Sequence, residues 1–160
     1  MIELKQTTQQ DLETLFVFQT DETSNYMAAF TPKNPHDKDA YMNKWTRILA
    51  NPNIVMKTIW QMNRIVGSVV HFTIGEETHV SYIIDKAFWG QGIATKALQM
   101  FIAQSPLQVF YARVAFDNHG SQRVLEKNSF QKIGLEKGFA HARGKEIEEF
   151  VYKYDFTPEK

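Results

Sequence analysis

Gly90 and Gly92 stand two residues apart where an apolar stretch, SYIID, gives way to IATKAL, which reads as the start of a helix. Glycine at such a junction adopts dihedrals closed to other residues and keeps side chains out of the way. The amides of Gln91, Gly92, Ile93, Ala94 and Thr95 can then turn toward one anion. The first turn of a helix offers unpaired N–H groups and the positive end of the helix dipole, so a diphosphate is a natural ligand. Two known phosphate motifs do not fit. A P-loop needs a Lys-Ser/Thr pair after its second glycine, and a dinucleotide fingerprint needs a third glycine where Thr95 stands. The competing reading is a helix start whose glycines serve only the turn.

Acid–base candidates are sparser. The absence of cysteine excludes a thiolate nucleophile, cysteine-ligated zinc, iron–sulfur clusters and disulfides. Histidines at 36, 71, 79, 119 and 141 show no metal-binding spacing, so no metal is expected. His71, His79, Asp85, Glu76 and Glu77 lie on or beside closely spaced strands. A short turn at 75–77 is expected to bring His71 opposite Ser81 or Tyr82. His71 is therefore the leading candidate base, although a histidine in a sheet is more often a packed or surface residue.

The elements that must position these groups are read from periodicity. Residues 2–6 suggest a strand; Asp11 suits a helix cap before Leu12, Leu15 and Phe16; and 21–36 reads as a loop or broken helix. A helix capped by Asp37 or Asp39 carries Tyr41, Trp45, Ile48 and Leu49 and stops at Asn51-Pro52. Segments 54–60, 64–73 and 78–84 are rich in β-branched and aromatic residues with hairpin-sized connections, which predicts an antiparallel meander. After Gly92 the period changes: Ile93, Ala97 and Phe101 share one helical line, with Ala94, Leu98 and Ile102 beside it, and Pro106 ends the region. A strand at 109–115, a helix from Asn118 to Asn128, and strands at 130–134 and 146–156 follow. The order implies an α/β sandwich on a mixed sheet, with a crossover helix returning to a strand parallel to the last meander strand.

At 160 residues the chain has the length of one domain, 1–160, and its 43% hydrophobic content is enough for a core. Lys+Arg and Asp+Glu are both 18, so there is no basic excess to attract nucleic acid or anionic lipid. The first residues lack a basic run followed by an apolar stretch, and no window approaches the ~18 apolar residues of a membrane span. A cytoplasmic location is the expectation. The aromatic alternation of the last strand suits either the core or the edge of a homodimer.

Two motifs together resemble the GCN5-related N-acetyltransferase (GNAT) superfamily, especially its RimJ/RimL-like branch. Trp89-Gly90-Gln91-Gly92-Ile93-Ala94 matches the acyl-coenzyme A loop [RQ]-x-x-G-x-[GA] with tryptophan first. Residues Asp117 to Phe130 are similar to D-N-x-x-S-x-x-V-L-E-K-x-G-F, with Ser129 replacing the glycine. The resemblance implies the GNAT sandwich: a mostly antiparallel sheet, helices on both faces, and a splayed parallel strand pair that admits acetyl-coenzyme A. By the same analogy the pyrophosphate lies on Gln91–Thr95. Ile83 and Ile84 pair with the pantetheine through their backbone, and Asn118 reaches it from the other side. Lys127 and Lys96 are candidate countercharges. The segment with Asp21, Glu22, Tyr26, Met27 and Phe30 falls where the family builds its acceptor wall. Leu125 stands where many members carry a proton-donating tyrosine, which leaves unassisted departure of the thiolate, a water, or a hydroxyl such as Ser121. The implied activity is direct acetyl transfer to a primary amine, on a protein N terminus or a small molecule. The alternatives are a non-catalytic acyl-coenzyme A sensor or scaffold, and a dinucleotide-binding protein.

Overall fold

Side chains alternate across a strand, so a strand with helices on both faces must be apolar at consecutive positions. The third strand meets this condition at Val69 and Val70, and it lies inside the sheet. The structure, a computed structural model, describes residues 1–158. Its sheet has seven strands in the order β1-β2-β3-β4-β5-β7-β6. In chain order β1 (Ile2–Gln6) is followed by helices α1 (Asp11–Gln19), α2 (Glu22–Ala28) and α3 (Lys38–Ala50). The meander β2 (Val55–Gln61), β3 (Arg64–Ile74) and β4 (Glu77–Ile84) comes next. Then come α4 (Ile93–Gln104), β5 (Val109–Ala115), α5 (His119–Lys127), β6 (Gln131–Ala140) and β7 (Lys145–Asp155).

Val69 joins Val80, Leu98, Phe101, Phe110, Leu125 and Tyr152 in the core under α4 and α5. Val70 joins Leu12, Leu15, Tyr41 and Met56 under α1 and α3. All neighbouring strands pair antiparallel except β4 and β5, which run parallel and meet at a single register pair, His79 with Tyr111. No further register pair joins them among the described residues, so the later residues of β4 and β5 part and frame a candidate cleft. Among the described residues no helix is long and apolar enough to cross a membrane.

The structure departs from the sequence reading in four places. Segment 21–36 contains the regular helix α2, started by the Asp21 carboxylate, which accepts from the Ser24 N–H at 2.8 Å. Asp11 is the first residue of α1. Its carboxylate accepts from Thr8 N–H at 3.0 Å, the Thr8 hydroxyl accepts from Asp11 N–H at 3.3 Å, and the pair caps the first turn reciprocally. Strand β6 runs to Ala140, well beyond 134, because β7 pairs with it almost throughout. The register sets His71 opposite Val80; Ser81 faces Val70 and Tyr82 faces Val69. Strand alternation then turns His71 toward α4, where it lies 5.6 Å from Phe101 and 6.0 Å from Phe110 between ring centroids.

Candidate active site

The glycine turn begins where β4 ends. Asp85 accepts from Ala87 N–H at 3.1 Å and starts a single 3-10 turn over Lys86–Phe88, after which the chain reverses through Gly90 and Gly92. These hold φ of +79° and +76°, the left-handed region, and a Cβ on either would meet nothing within 4 Å. Conformation therefore selects glycine here, and the omitted side chains leave the turn open. The backbone N–H groups of Gln91, Gly92, Ile93, Ala94 and Thr95 have no acceptor among the described residues, and Lys96 makes the first helical bond, to the Gly92 carbonyl at 3.1 Å. Five unpaired donors at the start of a 12-residue helix are an arrangement able to accept an anion through backbone alone. Lys96 and Lys127 are exposed, the first on α4 and the second on the last turn of α5.

Ile83 and Ile84 form the β4 wall of the cleft, Ile83 half-buried and Ile84 buried. Trp89 spans from the turn to this wall, its indole N–H donating to the Ile84 carbonyl at 2.9 Å. Gly67 backs the wall from β3: a Cβ there would be driven into the Ile83 carbonyl oxygen. This requirement was not readable from the sequence, because it depends on the β3–β4 register.

The opposite wall is the start of α5. Asn118 is its cap, Oδ1 accepting from Ser121 N–H at 3.2 Å, while its Nδ2 donates to the Met27 carbonyl at 3.3 Å. The asparagine thus joins α5 to α2. Ser121 lies half-buried one turn in, and its Oγ is 2.6 Å from the Tyr82 hydroxyl, which crosses from β4. Burial pushes the Tyr82 phenol up to about 12. Leu125 is 1% exposed in the core, one turn beyond Ser121.

The mouth of the cleft carries a cluster the sequence analysis missed. Arg143, at the tip of the β6–β7 hairpin, donates to both carboxylate oxygens of Asp117 at 2.9 Å and through Nε to the Tyr26 carbonyl at 2.7 Å. Its guanidinium also lies 3.9 Å from the Tyr26 ring centroid. The hydrogen bond and charge of Arg143 hold the Asp117 carboxyl below its usual range. Beside them Ala142 N–H donates to the carbonyl of Ala29, a buried alanine held at φ +64°. Phe30 packs against Gly138 of β6.

The remaining acid–base candidates are dispersed. His71 is 7% exposed, enclosed by two rings on the α4 side, and desolvation lowers its pKa. His79 is buried between Phe72 and Tyr111 at the base of the splay, 3.3 Å from the Glu77 carboxylate. Glu76 is exposed on the β3–β4 turn, and Asp85 is occupied as a cap. Asp21 is likewise engaged by Ser24, whose N–H lowers its pKa.

A family model described as an acetyltransferase (GNAT) domain matches residues 2–131. "Probable N-acetyltransferase YjcK" of Bacillus subtilis is 35% identical over 81 residues, 46% of this chain and 45% of that protein. "Uncharacterized N-acetyltransferase p20" of Bacillus licheniformis is 26% identical over 99 residues, 58% of this chain and 56% of that protein. The chain thus matches about half the length of these relatives. Among solved structures, a RimL ribosomal L7/L12 α-N-protein acetyltransferase in complex with coenzyme A superposes with a TM-score of 0.84 at 18% identity, covering 96% of this chain and 93% of that one. RimJ of Mycobacterium smegmatis, in complex with a coenzyme A disulfide, gives 0.77 at 19% identity, covering 99% and 85%.

Proposed function

The chain belongs to the GNAT acetyltransferase family, and from that premise we propose that it transfers an acetyl group from acetyl-coenzyme A directly to a primary amine. One conjunction carries this reading: a parallel strand pair that opens after one register pair, with five unpaired amides at the start of α4 immediately downstream. An extended ligand with an anionic end fits that arrangement. Its pyrophosphate rests on Gln91, Gly92, Ile93, Ala94 and Thr95, with Lys96 and Lys127 as countercharges. Its pantetheine runs between Ile83–Ile84 and Asn118, adding amide hydrogen bonds to an open strand edge. The Ile84 carbonyl would share its lone pairs between Trp89 and the ligand.

The absence of cysteine leaves direct transfer as the simplest route, with both substrates held in one ternary complex. The amine, once neutral, attacks the thioester carbonyl; in this reading Ser121 is the hydroxyl that assists the departing sulfur. His71 belongs to the core in this reading, since Phe101 and Phe110 enclose it on the α4 side. The acceptor enters past α2 and the β6–β7 tip, where Tyr26, Met27 and Phe30 provide apolar surface and Asp21 and Glu22 negative charge for an ammonium group. The RimL relative supports a protein N terminus as acceptor, and a small amine is the other member of the same chemical class.

Two measurements test the proposal. Acetyl-coenzyme A at about 100 times its dissociation constant should stabilise the fold by about 2.7 kcal/mol, and NAD should not. Free thiol should then appear in an acceptor-dependent manner across a panel of amines and N-terminal peptides. Binding without turnover across that panel replaces the reading with a non-catalytic acyl-coenzyme A sensor or scaffold. Stabilisation by NAD alone replaces it with dinucleotide binding.

A further inference from the structure

Tyr82 is unused by the reading so far, although its hydroxyl reaches across the splay. It lies three residues beyond the register pair at which β4 and β5 part, and its ring packs on the core beneath α4 and α5. The hydroxyl is 2.6 Å from Ser121 Oγ and 3.3 Å from the Ser121 carbonyl. A ligand anchored on Gln91–Thr95 and running back along Ile84 and Ile83 places its far end, the thioester, beside this pair. A tyrosine that donates to Ser121 Oγ leaves the serine's own proton free to point into the cleft.

We propose that Tyr82 and Ser121 form a two-hydroxyl relay that protonates the departing sulfur, with β4 supplying the phenol that α5 lacks, since residue 125 is leucine. The inference rests on the acetyl-transfer reading above. As the amine nitrogen bonds to the carbonyl carbon, the C–S bond breaks and its electron pair goes to sulfur. Ser121 passes its proton to the sulfur, and Tyr82 passes its own to Ser121. The proton shed by the newly acylated nitrogen is carried by water to the phenol as its own proton leaves, so the relay closes in one step without a free phenolate. Tyr82 acts through Ser121 and is therefore a positioning residue. Burial holds Tyr82 protonated across the neutral range and disfavours a free phenolate, so its transfer to Ser121 is concerted with its reprotonation.

The test compares acetyl-coenzyme A with its selenoester analogue, whose selenolate is a far weaker base and departs without a proton. Tyr82→Phe keeps the ring in the core and removes only the hydroxyl; thermal melting of the variant with and without coenzyme A establishes that fold and binding persist. With acetyl-coenzyme A, Tyr82→Phe and Ser121→Ala should each lower kcat about 100-fold, the low end of general acid catalysis, and the double variant should lose little more. With the selenoester both single variants should return to within about threefold of wild type. Equal losses with the two donors overturn the relay and leave the hydrogen bond a structural tie. Wild-type protein that turns over neither donor overturns the acetyl-transfer reading and the relay with it.

Discussion

The two ends of the cleft are built on different principles. The end proposed for the coenzyme is local: Trp89 to Thr95 present consecutive unpaired amides, and their geometry needs only two left-handed glycines and a helix start. The end proposed for the acceptor is assembled from distance. Arg143 ties together Tyr26 and Asp117, Asn118 reaches Met27, and Ala142 secures the strained Ala29, so the hairpin tip, α2 and α5 depend on one another. A site made of backbone survives most side-chain changes and fails when a dihedral is forbidden. A site made of long-range side-chain ties fails when any one tie is cut.

The largest effect is expected at Gly92. A β-branched residue at φ +76° is strained by about 2 kcal/mol, so Gly92→Val should raise the dissociation constant for coenzyme A about 30-fold by calorimetry. Gly92→Ala should fall between it and wild type. An unchanged constant would mean that the turn does not hold the phosphates and that the contrast between the two ends is false.

The acceptor end should respond next, and in another observable. Arg143→Ala leaves the half-buried Asp117 without its partner and should lower unfolding stability by about 2 kcal/mol in denaturant titration, less than for a fully buried pair. KM for the amine should rise more than the dissociation constant for coenzyme A. Arg143→Lys should recover little, since an ammonium cannot make the two parallel bonds to Asp117. An equal loss at both ends would show that the cleft behaves as one unit.

A smaller signature lies in the acid range. Asp117 titrates lower in the folded protein than in the unfolded chain, so its pairing contributes fully above about pH 4 and is lost as pH falls through the folded value. The stability gap between wild type and Asp117→Asn should therefore narrow as denaturant titrations move below pH 4. The smallest effect concerns His71, which lies at neither end. Its folded pKa is lowered by desolvation, so the neutral ring is favoured and its contribution drains as pH falls below about 6.5. The difference between wild type and His71→Gln should shrink over that interval. A difference independent of pH would show that the enclosed ring does not titrate against the fold.

The coenzyme end was legible early because its signals are close in sequence. Gly90, Gly92, the period change after Gly92 and Asn118 as a cap all appear in the structure where the sequence placed them. Helix α2 was harder to see because its seven residues carry no sustained apolar period, and it is held by the Asp21 cap and by ties to α5 and the hairpin tip. The length of β6 was hidden for a related reason. Gly134, Gly138 and three charged residues weaken any strand signal in QKIGLEKGFA, and β7 supplies the order through pairing.

By itself the sequence determined the element order apart from α2, the meander, the glycine turn before α4 and the absence of cysteine chemistry. These follow from dihedral limits, side-chain periodicity and composition, all of which act over a few residues or over none. Tertiary structure decided which way His71 faces, why Gly67 cannot be larger, that Arg143 reaches Asp117 and Tyr26, and that Tyr82 meets Ser121. Each depends on a strand register or a docking between elements 26 to 117 residues apart or on a close backbone approach, and a one-residue slip in a strand would turn every such side chain to the opposite face.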